Sequence, residues 1–212
     1  MATTKTQRIG IWIIAIFMAI GTIGSFAIIV LANQNSQTET ANIQTLTAQY
    51  QADVAAQTKE LSDKYYDTFA PYQSRVAPFD AASVTELKTE DLAAGDGETL
   101  TADSSFTAYY IGWTPDGKVF DSSIDGDSLK APFEVTPGRV IEGWTKGVVG
   151  MKVGGVRELS IPSDLAYGES GSGDSIPPNT PIKFVVMVIP TPEPVQMPQA
   201  LIDYYTKGAG AR

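Results

Sequence analysis

The chain has 212 residues, with 15 Lys and Arg against 24 Asp and Glu and a net charge of −9. That balance argues against a nucleic-acid partner, whose phosphates need a basic face, and the length suits one well-buried domain with appendages. The absence of Cys and His removes disulfides, thiol nucleophiles, Ser-His-Asp triads and the usual zinc sites, so neither metal nor cofactor is expected and catalysis must use binding, shape and dipoles.

Residues 1–8 form a polar tail containing Lys5 and Arg8. The next stretch, Ile9 to Ala32, carries no charge. As a helix it would run about 36 Å, enough to cross a hydrocarbon core of roughly 30 Å. Val30 and Ala32 would serve as small residues before a signal-peptide cut, but the apolar region exceeds the roughly 7–15 residues typical of such peptides. The reading adopted is an uncleaved transmembrane anchor over residues 9–32. Lys5 and Arg8 precede the span and an acid, Glu39, is the first charge after it. The positive-inside rule then gives a single-pass protein of the cell membrane, with its N-terminus in the cytoplasm and the rest outside.

Residues 33–42 read as a polar tether. Ile43, Leu46, Tyr50, Val54, Leu61, Tyr65 and Phe69 then recur at three- and four-residue steps, the period of a helix. Gln57 interrupts this stripe, and Pro71 and Pro78 close the segment. Two readings fit residues 33–78: a stalk that dimerises as a coiled coil, or one amphipathic helix that acts as a spacer or packs on its own domain.

Residues 79–190 carry the signals of a small sheet. A strand is expected around Val84–Thr89, followed by a turn at Ala94–Gly97. Ser105–Trp113 is rich in aromatic and β-branched residues. A tight turn at Pro115–Gly117 leads to a strand from Lys118 to Asp121, and Ser122–Lys130 is a polar loop before Phe133–Val135. Arg157–Ile161 and Ile182–Ile189 complete the strands. The last is apolar and unbroken, as suits the middle of a sheet. One short helix is expected over Trp144–Val149. The fold class is α+β, an antiparallel sheet wrapped around a single short helix. Residues 191–212 form a Pro-rich tail in which Gln199–Lys207 can make a short helix. Asp121, Ser123, Asp125 and Gly126 match the opening of a calcium loop, but its closing position is Pro132 instead of Glu, so no metal site is assigned.

The segments VIEGW (140–144), GMKVGG (150–155), IPSDLAYG (161–168) and IPPNTPIKF (176–184) together resemble the signature of FKBP-type peptidyl-prolyl isomerases, and the resemblance covers about residues 80–190. It implies a proline pocket with Trp144 as its floor. Tyr110, Asp121, Ile141 and Tyr167 would serve catalysis, the Ile141 backbone N–H and the Tyr167 hydroxyl by holding substrate carbonyls. Phe120, Phe133, Val140, Ile176 and Phe184 would bind substrate, with Ile176 on the rim and Phe184 closing a wall. For each aromatic taken singly, ordinary core packing is the competing reading. The chain departs from the family where an Arg commonly pairs with the pocket Asp: the loop after Asp121 has no Arg, and only Lys130 could substitute. Ser172 and Ser175 give a more polar rim than members with His and Ile there.

The resemblance thus implies a prolyl isomerase acting on proline-containing polypeptides, here exported ones, and able to bind a macrolide inhibitor. The alternative is a chaperone or binding module that uses the same cleft with little turnover. A homodimer through the stalk is the further partner expected.

Overall fold

The computed structural model describes residues 34–209. The span Ile9–Ala32 lies outside them, and among the described residues no helix is long and apolar enough to cross a membrane. The chain divides into two units, Met1–Asp53 with Gln196–Arg212, and Val54–Val195. Helix α1 (Gln34–Phe69) contributes to both. It starts earlier than the apolar stripe, so residues 34–42 are helical where a tether was expected. A formed helix propagates through Gln, Thr and Glu at little cost once its nucleus exists. In the first unit, α3 (Gln199–Ala209) opens beside Pro198, whose carbonyl accepts from the Leu201 N–H, and Gln199 bridges to Asp203 at 2.8 Å.

The second unit holds the sheet. In chain order its elements are β1 (Lys88–Ala93), β2 (Phe106–Trp113), β3 (Val119–Ser122), β4 (Ile124–Asp125), β5 (Ser128–Leu129), β6 (Phe133–Val135), α2 (Glu142–Gly147), β7 (Val156–Ile161) and β8 (Ile182–Ile189). The main sheet runs β1-β7-β8-β2-β3, with β6 pairing the other end of the β2 edge that β3 uses. The strands β4 and β5 make a separate hairpin. Every pairing is antiparallel.

The central β8 explains its own sequence. Ile182, Phe184, Val186 and Val188 face the side that carries Trp144 and Val148, whereas Val185, Met187 and Ile189 face the opposite side. Side chains alternate with period two, and both faces are covered, so no polar alternation remains. The opposite face is covered by Tyr65, Tyr66 and Phe69 at the end of α1 and by Tyr72, Val76 and Phe79 beyond it. The end of the stalk therefore packs on its own domain. Gln57, the break in the stripe, donates to the Glu193 carbonyl at 2.7 Å.

The strand expected around Val84–Thr89 begins later than the sequence suggests. Residues Ala81–Ser83 form a 3-10 turn capped by Asp80, whose carboxylate accepts from the Ala82 N–H. The first strand begins only at Lys88. Its KTEDLA sequence is polar because it is an edge strand, and charges there discourage further pairing. In its register Glu90 stands opposite Glu158, a repulsive arrangement on its own. Arg75 resolves it by donating to both, Nε to Glu158 and Nη2 to Glu90, each at 2.7 Å, while Lys183 donates to Glu158 at 2.9 Å. The short helix is also displaced from Trp144–Val149 to Glu142–Gly147, so that Trp144 sits inside its first turn.

Candidate functional site

The candidate site forms on the sheet face that carries α2. Its central element is the indole of Trp144, only 4% exposed. Around it, Phe184 lies edge-on at 5.2 Å between ring centroids, Tyr110 at 5.5 Å and Phe133 at 6.1 Å. Phe120 packs edge-on against Phe184 at 5.4 Å. Edge-to-face pairs of this kind contribute about 0.5–1.5 kcal/mol each beyond their burial. Tyr110, Phe120, Phe133 and Tyr167 are half-buried, so the cluster presents aromatic surface outward.

Glycines let α2 and the sheet approach. A Cβ on Gly143 would lie 2.3 Å from Ile161 Cγ2, and one on Gly147 2.8 Å from Leu159 Cδ2. These two residues are four apart, on one helix face, and that face rests on β7. The helix C-terminus is held by a buried side chain. Arg157 Nη1 donates to the carbonyls of Gly147 and Val149 at 2.8 and 3.0 Å, satisfying acceptors a helix end leaves unpaired. Asp91 holds the same guanidinium bidentately, at 2.6 and 3.1 Å. This hydrogen-bonded Arg157 keeps the Asp91 carboxyl below the usual range. Sequence reasoning singled out neither residue, because both look like ordinary strand charges.

Strand β3 supplies two site residues through a bulge. Asp121 pairs with Gly112 and Val119 with Trp113, leaving Phe120 as an extra residue between them. Without the bulge, the two-residue period would turn Phe120 and Asp121 to opposite faces. With it, Phe120 reaches Phe184 and the Asp121 carboxylate accepts from the Tyr110 hydroxyl at 2.5 Å. Gly112 lies beneath both: a Cβ there would be 2.5 Å from Phe184 Cε1 and 2.6 Å from Phe120 Cζ. A lone Gly inside an aromatic strand is a known sign of a bulge or a close approach, and it is the signal that could have found this position.

Asp121 makes no ion pair among the described residues. Its second oxygen accepts from the Ser122 N–H at 2.8 Å. Lys130, expected as a substitute cation, instead donates to the Ser122 carbonyl at 2.9 Å. Ser123 is buried, and its hydroxyl accepts from the Tyr110 N–H at 3.0 Å, so this part of the calcium-loop resemblance is engaged in sheet bonding. Burial, and then the hydrogen bond to Asp121, raises the Tyr110 phenol far above its ordinary value. Burial also raises Tyr167, with the Asp121 charge adding to the effect. Both phenols therefore stay protonated donors through the neutral range.

Tyr167 stands between two short 3-10 turns, Ser163–Leu165 and Gly168–Ser170. The rim loop after it is closed by reciprocal backbone bonds between Ser172 and Ile176, at 2.8 and 3.1 Å. Gly171 allows this closure with φ of 62°, since a Cβ would lie 2.3 Å from the Ile176 carbonyl oxygen. Ile176 is itself 3% exposed and belongs to the buried cluster, under the rim and not on it. Phe184 likewise touches Trp144, Tyr110 and Phe120 from within the core. Val140 and Ile141 are half-buried beside the cluster, and Ile141 is the extended residue preceding α2. All ten sequence-expected residues thus gather on one face.

A family model described as FKBP-type peptidyl-prolyl cis-trans isomerase matches residues 97–189. An FK506-binding protein of Neisseria meningitidis serogroup B is 41% identical over 105 residues, covering 49% of this chain and 94% of that protein. FK506-binding protein 4 of Dictyostelium discoideum is 46% identical over 105 residues, and there the match covers 49% of this chain but only 28% of the relative. A crystal structure of a peptidyl-prolyl cis-trans isomerase from Pseudomonas syringae is 33% identical, with a TM-score of 0.45, covering 61% of this chain and 92% of that one.

Proposed function

The chain belongs to the FKBP-type peptidyl-prolyl cis-trans isomerases, and we propose that its Trp144-centred aromatic cluster turns over Xaa-Pro bonds in exported polypeptides. The observation that carries this reading is the Trp144 indole ringed by Tyr110, Phe133 and Phe184, with the phenols of Tyr110 and Tyr167 beside it.

Rotation about the amide meets a barrier of about 18–20 kcal/mol because twisting destroys resonance. No nucleophile is required. A proline ring seated against Trp144 and flanked by Tyr110, Phe120, Phe133 and Phe184 lies in an apolar setting. There the charge-separated planar amide is disfavoured relative to the twisted form. Val140 and Ile176 complete the apolar surround. The Ile141 N–H and the Tyr167 hydroxyl hold the carbonyls flanking the bond. Asp121 fixes the Tyr110 ring, through a phenol that keeps its proton. Each tenfold in rate corresponds to about 1.4 kcal/mol of binding specific to the twisted state.

The apolar span Ile9–Ala32, with Lys5 and Arg8 before it, supports a membrane-anchored protein whose isomerase domain lies outside the cytoplasm. On that reading residues 33–78 link anchor to domain, 79–190 are the isomerase domain, and 191–212 are a C-terminal tail. The unit Val54–Val195 extends the domain back into the stalk. Macrolides would compete for the same aromatic surface, and pairing through the exposed part of α1 would give a homodimer.

The test is a proline-isomerisation assay on the whole protein with an Xaa-Pro peptide, with and without a macrolide. Turnover that the macrolide suppresses, and that falls roughly tenfold in Tyr167→Phe, is the expected result. Peptide binding with turnover at background would replace catalysis by a binding-module role. Protease added outside intact cells should cleave the domain and spare the N-terminus, and the reverse pattern would refute the orientation.

A further inference from the structure

We infer that Ser62 of α1 is a positioning residue for the Asp121–Tyr110 pair, acting through the β4–β5 hairpin in place of a cation. The inference rests on the assignment of Tyr110 and Asp121 to the site.

The connection is continuous and short. The Ser62 hydroxyl is buried and accepts from the Leu129 N–H at 2.8 Å. Leu129 of β5 is buried in the same side-chain cluster as Phe69, and half-buried Ile124 of β4 packs against that cluster with Tyr65 and Tyr66. Tyr66, one helical turn after Ser62, donates to the Gly126 carbonyl at the hairpin tip at 3.3 Å. The residue after Leu129 then reaches back twice: the Lys130 N–H donates to the Ser123 carbonyl at 2.8 Å and its ammonium to the Ser122 carbonyl at 2.9 Å. Ser123 in turn is locked to Tyr110, its N–H donating to the Tyr110 carbonyl at 2.8 Å and its hydroxyl accepting from the Tyr110 N–H. Ser122 donates its N–H to Asp121.

A chain of hydrogen bonds therefore links α1 to both members of the pair. The physical need for it is plain. Asp121 is exposed and has no ion pair among the described residues, so its direction depends on the backbone that carries it. That backbone leaves β3 through a single residue, Ser123, into a hairpin only two residues long on each side. Such a hairpin is not stable by itself. Ser62 holds its returning strand through the buried Leu129 N–H, and a buried N–H deprived of its acceptor is strongly disfavoured.

The test measures kcat and KM for an Xaa-Pro peptide in the full chain, for Ser62→Ala, Asp121→Ala and the double variant. Phe69→Leu serves as the control, since it weakens the same buried cluster while leaving the Ser62 and Tyr66 hydrogen bonds to the hairpin in place. The expected result is a fall in kcat on the order of tenfold for Ser62→Ala. Phe69→Leu should keep the wild-type kcat below its unfolding transition. In the Asp121→Ala background, Ser62→Ala should add less than about twofold, because residues that act as a unit are non-additive. An equal loss in Phe69→Leu, or the same Ser62→Ala factor in both backgrounds, overturns the inference. An impaired Asp121→Ala beside a fully active Ser62→Ala overturns the brace alone, whereas a fully active Asp121→Ala overturns the site assignment together with it.

Discussion

Replacing Gly112 by Ala perturbs the site through a residue that contributes no side chain to it. The added methyl would lie 2.5 Å from Phe184 Cε1 and 2.6 Å from Phe120 Cζ, whereas packed carbons sit about 3.5–4.0 Å apart. Each ring must therefore retreat by about 1 Å. Phe120 is half-buried and can swing outward. Phe184 is buried and backed by Trp144 and Tyr110, so its retreat displaces the indole. Overpacking costs about 1–3 kcal/mol, and removing a strand glycine returns about 0.5–1 kcal/mol. The net loss of stability should lie between about 0 and 2.5 kcal/mol. Activity should suffer more, because a misplacement of about 1 Å costs on the order of a hundredfold where geometry decides the rate. Urea unfolding gives the first quantity, and the rate of cis-trans exchange in an Xaa-Pro peptide gives the second. A stable Gly112→Ala variant with wild-type turnover would refute the claim that the Phe120–Phe184 approach shapes the site.

Other outcomes follow from the buried polar groups. Arg157→Ala strips the α2 C-terminus of two hydrogen bonds and Asp91 of its partner, and should cost about 2–4 kcal/mol by urea unfolding. Asp91 is depressed by Arg157, so its contribution is present above the ordinary carboxylate range and lost as pH falls through the folded value. The Arg157→Ala variant should lack that part of the acid-side decline. Tyr109 is fully buried, with no hydrogen bond to its hydroxyl, and burial raises its phenol to about 12. Its neutral form is favoured in the fold, so stability is retained below the ordinary value of about 10 and falls as pH rises from there towards 12. Tyr109→Phe should remove this share of the alkaline loss and stabilise the protein by about 1 kcal/mol near neutrality. An unchanged alkaline profile would show that Tyr109 ionises freely.

How far the sequence could be read depended on what each residue's neighbours were. The strands Phe106–Trp113 and Ile182–Ile189 were legible because both faces of each are covered and only Thr107 and Lys183 break their runs with a polar side chain. The edge strand Lys88–Ala93 was not, since its partners are ions brought from Arg75, 15 residues before Glu90, and Arg157, 66 residues after Asp91. Asp121 and Phe120 could be named from the resemblance, but not how both reach one face, which needs a bulge over Gly112. The hairpin within the polar Ser122–Lys130 loop is hidden from the sequence because its anchor, Ser62, lies on a helix 67 residues before Leu129. Helix periodicity located the stripe through Tyr65 and Phe69, and could not distinguish a second helix from a sheet face as its cover.

The proposed place of proline isomerisation is the Trp144 indole. It is tested most directly by kcat/KM for an Xaa-Pro peptide in wild-type and Trp144→Leu proteins, compared below the unfolding transition of the variant. A clear rate acceleration is expected in the wild type and a loss of about tenfold or more in the variant, with circular dichroism reporting a retained sheet. Equal values in the two folded proteins would contradict that placement.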